Sequence, residues 1–291
     1  MRTKLLRWSL FLGAAAMLAL LGVSSAQVTQ QQQEGEMGVE SHIGKLTGRA
    51  SAAKTNYRRY CVGCHGEKGD GNGENAPWID PKPRDFTLAT FKCRSTPTGT
   101  LPTDEDLFNT IGRGLDNSNM PQWLPLSKQN RADMVAYVKH FSPRWKTEKP
   151  GTPIQVPHEP EVSADRIKAG LQLFQKMECW KCHGPEGHGD GPSAPTLTDS
   201  KDRPIPPYDF TEGHRFKCGQ TDEDLYKIFM TGLDGTPMPS FADNLNPEQA
   251  WDLVFYLRTL QPMHTKEKDI AKQLGLKPIE PNAPATPPAD K

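Results

Sequence analysis

Apolar residues gather in one continuous run near the start of the chain. Beyond it they recur in short blocks at helical spacing, separated by polar stretches rich in proline and glycine. The clearest block follows Asn246-Pro247-Glu248-Gln249, which supplies an N-cap, a proline at the first helical position and a glutamine at the third. Trp251, Val254, Phe255 and Leu257 then share one face. A counterpart spans 127–141. Middle helices begin at Thr103 and Thr221, where Thr-Asp-Glu-Asp places a capping hydroxyl before acidic first-turn residues. Two more, 50–60 and 164–177, each run into a Cys-x-x-Cys-His motif. No stretch alternates convincingly as a strand. The pattern predicts an all-α fold with long loops.

The opening run, Leu10 to Val23, follows Arg2, Lys4 and Arg7 and precedes Ser24-Ser25-Ala26. That order reads as a signal peptide over 1–26, cleaved after Ala26, because the run is short for a span of roughly 20 residues. An uncleaved anchor is the rival. After cleavage no transmembrane segment is expected, and the expected location is the periplasm. Residues 27–41 are Gln-rich and read as a disordered tether; 263–291 reads as a disordered tail. Between them, 147–160 holds Pro150, Pro153, Pro157 and Pro160, a semi-rigid linker.

The two domains so bounded, 42–146 and 161–262, repeat each other. Cys61-Val-Gly-Cys-His-Gly matches Cys179-Trp-Lys-Cys-His-Gly, Asp85-Phe-Thr matches Asp209-Phe-Thr, and Phe91-Lys-Cys matches Phe216-Lys-Cys. Thr103-Asp-Glu-Asp-Leu then matches Thr221-Asp-Glu-Asp-Leu, and Met120-Pro matches Met238-Pro. The unchanged order marks an internal duplication. Composition adds a constraint: 35% hydrophobic residues with 27 Pro and 25 Gly make lean cores, which a buried cofactor would fill. Charge divides between the repeats, with 16 Lys/Arg against 10 Asp/Glu over 42–146 and 10 against 16 over 161–262. Opposite fields would steer different partners to each end, or simply draw the domains together.

Cys61, Cys64 and His65 sit at i, i+3 and i+4, as do Cys179, Cys182 and His183, so each set shares one helix face. Two thiols can then reach two vinyl groups on one porphyrin edge while the imidazole meets the iron, the pattern of c-type haem attachment. A thioredoxin-like site would need a βαβ unit. A four-thiolate zinc cage normally has tighter spacing, and would leave the repeated histidines and methionines unexplained. The Gly-rich runs 66–73 and 184–191 lack the Lys-Ser/Thr of a phosphate loop and suit a chain passing tightly around a flat cofactor. Two covalently bound haem c groups are expected.

Met120 lies 59 residues past Cys61 and Met238 lies 59 past Cys179, although the intervening loops differ in length. Each follows Gly-Leu-Asp and precedes proline, poor surroundings for a core residue. They read as axial iron ligands opposite His65 and His183. Met134 and Met230 fall within predicted helices and read as core; Met177 is too close to Cys179 to reach the opposite face. His/Met ligation closes the iron and raises its potential, so electron transfer is expected rather than catalysis. The rivals are a two-haem peroxidase and a gas sensor, each of which needs an open or releasable iron.

Each half, over 50–141 and 164–260, resembles a class I cytochrome c domain in its entry helix, CxxCH, Met-Pro loop and closing helix. The resemblance implies that a glycine and an aromatic of the entry helix pack on the closing one. Gly170 and Phe174 match; the first half has Tyr57 but Ala53 in place of glycine, implying a slightly wider crossing. The Phe-Lys and Thr-Asp-Glu-Asp-Leu runs are similar to those of two-haem cytochromes accompanying respiratory oxidoreductases. That implies an electron-carrying subunit, not itself an enzyme, with donor and acceptor proteins and no nucleic acid as partners. Similar cytochromes often carry an apolar residue where this chain has Cys93 and Cys218. These positions are equivalent in the repeats and the compartment is oxidising, so a disulfide between the domains is expected, against two separate buried thiols.

Overall fold

The computed structural model describes residues 38–213 and 215–276. The expected signal peptide, most of the tether and the last part of the tail lie outside them. The first unit contains α1 (Ala50–Tyr60), the one-turn α2 (Val62–His65), α3 (Asp104–Arg113), α4 (Lys128–His140) and α5 (Arg144–Thr147). The second contains α6 (Ala164–Lys176), the one-turn α7 (Trp180–His183), α8 (Asp222–Thr231), α9 (Pro247–Leu260) and α10 (Thr265–Gln273). The fold is all-α apart from one small hairpin.

Local chemistry sets the helix starts. The Thr103 hydroxyl accepts from Asp106 N at 3.1 Å while the Asp106 carboxylate accepts from Thr103 N at 2.9 Å. Thr221 and Asp224 form the same box at 3.1 and 3.2 Å, and Asn246 and Gln249 at 2.9 and 3.0 Å. Each box satisfies helix-terminal donors that would otherwise lack partners. Entry and closing helices then pack in pairs, α1 on α4 and α6 on α9. Tyr57, Val135 and Val138 centre the first core; Phe174, Trp251 and Phe255 centre the second. At Gly170 a β-carbon would collide with the Asp252 carbonyl, so α6 and α9 touch backbone to backbone there.

Two segments differ from the sequence reading. Glu40 and Ser41, assigned to the tether, belong to β1 (Glu40–Ile43), which pairs antiparallel with β2 (Leu46–Arg49). Strands of four residues are too short to show alternation, and this hairpin is held from outside. Ser41 Oγ donates to Ala132 O at 2.7 Å, and Arg49 N donates to the Asp133 carboxylate at 2.9 Å. Gly48 is the close-approach residue here, since its β-carbon would strike the Ala132 carbonyl. The tail read as disordered from 263 carries α10, whose Ile270 and Ala271 pack on the second core. Its short apolar stripe is masked in the sequence by Lys266, Lys268 and Lys272.

The units meet along a seam closed covalently. Cys93 and Cys218 form a disulfide with an S–S distance of 2.11 Å, bridging 125 residues of sequence. Beside it Arg94, its side chain fully buried, reaches into the second unit to Asp234 Oδ1 at 2.7 Å and Thr231 O at 2.6 Å. Asp234 also accepts from Thr98 Oγ1 at 2.6 Å and Gly99 N at 2.9 Å. Replacing Asp234 by alanine would leave a buried guanidinium without its carboxylate. An unfolding free energy lower by about 3 kcal/mol is expected in chemical denaturation; a loss below about 1 kcal/mol would show that the carbonyls alone satisfy Arg94.

Candidate cofactor sites

Both CxxCH motifs fold as a single helical turn. His65 N donates to Cys61 O at 2.9 Å, and His183 N donates to Cys179 O at 2.9 Å. The glycine-rich run then folds back onto the turn: Gly73 N reaches Cys64 O and Gly191 N reaches Cys182 O, each at 3.1 Å. At Gly73 and Gly191 a β-carbon would strike the backbone of the turn, so the glycines serve this close return. In the first unit Tyr57 Oη donates to Gly66 O at 2.8 Å and ties α1 to the same turn.

The histidines are oriented alike. His65 Nδ1 lies 3.0 Å from Arg84 O, and His183 Nδ1 lies 2.9 Å from Tyr208 O. A carbonyl can only accept, so Nδ1 carries the proton and Nε2 keeps the lone pair, the arrangement of a metal-ligating imidazole. Burial lowers the pKa of both rings, which keeps them neutral. Phe86 stacks on His65 at 4.3 Å and Phe210 lies 4.9 Å from His183, bracing each ring.

The methionine loops match as closely. Leu115 N donates to Met120 O at 3.1 Å, and Leu233 N donates to Met238 O at 3.1 Å. Met120 N donates to Ser118 Oγ at 3.3 Å, and Met238 N donates to Thr236 Oγ1 at 3.2 Å. Gly114 (φ 73°) and Gly232 (φ 69°) end α3 and α8 in a conformation that L side chains avoid, turning each chain into its methionine loop. A β-carbon at either position would also meet that loop's backbone.

These elements converge in the first unit on a cavity enclosing about 1010 Å³, part of it open to solvent. Cys61, Cys64, His65 and Met120 all line it, with Tyr60, Trp123 and Val138 among its apolar walls. In the second unit Cys179, Trp180 and Met238 pack on one core. The donors suit a flat macrocycle with an iron centre: two thiols, an imidazole lone pair, a thioether and apolar walls. They do not suit zinc. Among the described residues no group of three His, Cys, Asp or Glu side chains could hold a metal ion.

Met134, 2% exposed, and Met230 pack into the cores. The sequence reading passed over Arg84, Lys92 and Lys217, which line the first cavity. The signal for the two lysines was the repeated Phe-Lys-Cys triplet, in which only the cysteine drew a role.

Residues 167–261 match the family described as Cytochrome c, and residues 48–138 match Cytochrome C oxidase, cbb3-type, subunit III. A chain of the Kuenenia stuttgartiensis reducing HAO-like protein complex is 45% identical with a TM-score of 0.70, the match covering 72% of this chain and 95% of that one. No curated protein matches the chain.

Proposed function

Because the chain belongs to the c-type cytochrome family, we propose that it carries single electrons between redox proteins through two covalently bound haem groups, one in each unit. The observation carrying this reading is the paired placement of His65 with Met120 on one cavity, with the same local geometry repeated at His183 and Met238. Cys61, Cys64, Cys179 and Cys182 would bind the haem groups as thioethers, and His65, Met120, His183 and Met238 would hold the iron. Bound haem supplies a one-electron iron couple. The protein's part is to hold imidazole orientation through the Arg84 and Tyr208 carbonyls, to keep small molecules from the metal with the methionines, and to fix the units together at the disulfide.

Partners at the two ends differ in charge preference. The split between the units is not consumed at the seam. Arg94–Asp234 runs with it, whereas Lys201–Asp85 and Arg215–Asp116 run against it. The remaining excess leaves a basic first unit and an acidic second one to steer different proteins. The similar Kuenenia chain belongs to a protein complex, which supports docking onto a larger redox assembly. The signal-like start of the sequence supports a periplasmic location.

Ligand exclusion tests this reading. The native ferrous protein is expected to bind no carbon monoxide at neutral pH and to leave peroxide intact, whereas Met120→Ala binds one carbon monoxide per chain. Uptake by the native protein would instead mark an open iron and return the peroxidase or sensor reading.

A further inference from the structure

The first cavity has mostly apolar walls; its cationic lining is Lys82, whose Nζ donates to the Ala76 and Pro77 carbonyls at 3.1 and 3.0 Å, together with Arg84, Lys92 and Lys217. Lys217 comes from the second unit. Its presence there follows from the disulfide, since Lys92 and Lys217 immediately precede Cys93 and Cys218 and are drawn to the same seam. Arg84 is set by its own carbonyl, which accepts from His65.

Among the described residues, none of these three side chains has a hydrogen-bond or ion-pair partner. The nearby acids are engaged elsewhere: Asp199 with Arg203 at 2.6 Å, Asp85 with Lys201 at 2.6 Å, Asp234 with Arg94 at 2.7 Å. Asp80 lies exposed at the surface. Three like charges part-buried on a low-dielectric cavity are unfavourable unless an anion joins them. Burial first, and then the neighbouring Arg84 and Lys217, hold Lys92 down at about 7. A ligand that fills this cavity would join an apolar body to acidic groups able to reach these cations.

We propose that Arg84, Lys92 and Lys217 seat the propionate carboxylates of the porphyrin in the first cavity, so that this site is completed by a residue of the second unit. This rests on the haem reading above and extends it. Charge-assisted hydrogen bonds to carboxylates are the strong kind, and an arginine fork with two lysines gives donors for both groups. The duplication is not symmetric here: Arg84 precedes Asp85-Phe-Thr, but Tyr208 precedes the matching Asp209-Phe-Thr. Arg84 thus has no counterpart in the second unit.

The test uses the full haem-loaded chain with Lys217→Met, Lys92→Met, Lys217→Arg and, as a charge control on the exposed face of α6, Lys168→Met. Haem-resolved potentiometry is the readout. Removing a cation beside the iron favours its ferric form, so Lys217→Met and Lys92→Met are expected to lower the first site's potential. Lys217→Arg restores it, and Lys168→Met leaves it unchanged. A first-site potential untouched by either methionine variant, with both haems still attached, overturns the proposal while leaving the carrier reading intact. A native chain whose mass shows no covalent haem overturns both.

Discussion

Replacing Cys93 and Cys218 together by serine is expected to lower the unfolding free energy by roughly 5 kcal/mol, the loop-closure value for a bridge spanning more than a hundred residues. The bridge joins positions 125 residues apart, and the enclosed chain includes the first unit's methionine loop and closing helix, the linker and the entry helix of the second unit. Without it the unfolded chain gains that freedom while the folded seam keeps its non-covalent contacts, Arg94–Asp234 and the Asp234 bonds to Thr98 and Gly99 among them. Chemical denaturation of native and double-serine proteins, without reductant, measures the difference. The thioether attachments are expected to persist in both. A difference under about 1 kcal/mol would mean that the non-covalent seam already confines the units in the unfolded ensemble.

Gly170→Val is expected to destabilise the second unit by about 4 kcal/mol, beyond the usual 1–3 kcal/mol of overpacking. The obstacle is backbone. A β-carbon on α6 would enter the Asp252 carbonyl and press on Tyr256 Cβ, and neither can rotate away as a side-chain tip would. Relief requires α6 and α9 to separate, which unpacks Phe174 from Tyr256, now 5.3 Å apart between ring centroids. The first unit has no such contact at Ala53, which sits buried with its methyl accommodated. Denaturation followed separately at each haem is expected to show the second site released early and the first unchanged. Equal loss at both sites would mean that the units unfold as one.

Helix starts were legible because a capping box is a short, local code. Thr103, Thr221 and Asn246 each sit at the N-cap that their following residues imply. The repeated histidines and methionines were legible for a different reason. Duplication printed the pattern twice, so Met120 and Met238 stood out by equal offset while Met134 and Met230 dissolved into helical periodicity. Elements held by distant partners were not legible. The β1–β2 hairpin depends on the Ala132 carbonyl and the Asp133 carboxylate, some ninety residues away, and α10 depends on the second core. The cationic lining of the first cavity was hidden most deeply, because Lys217 belongs to it only once the chain has brought the two units together.

Electron carriage as proposed requires that a thioether and an imidazole would both hold the iron in each unit. Near-infrared magnetic circular dichroism of the purified ferric protein at neutral pH measures this directly, because sulfur-to-iron charge transfer reports the methionine bond. The intensity expected is that of two methionine-ligated low-spin irons per chain. Intensity for one or none, or a high-spin signal from either iron, would contradict it.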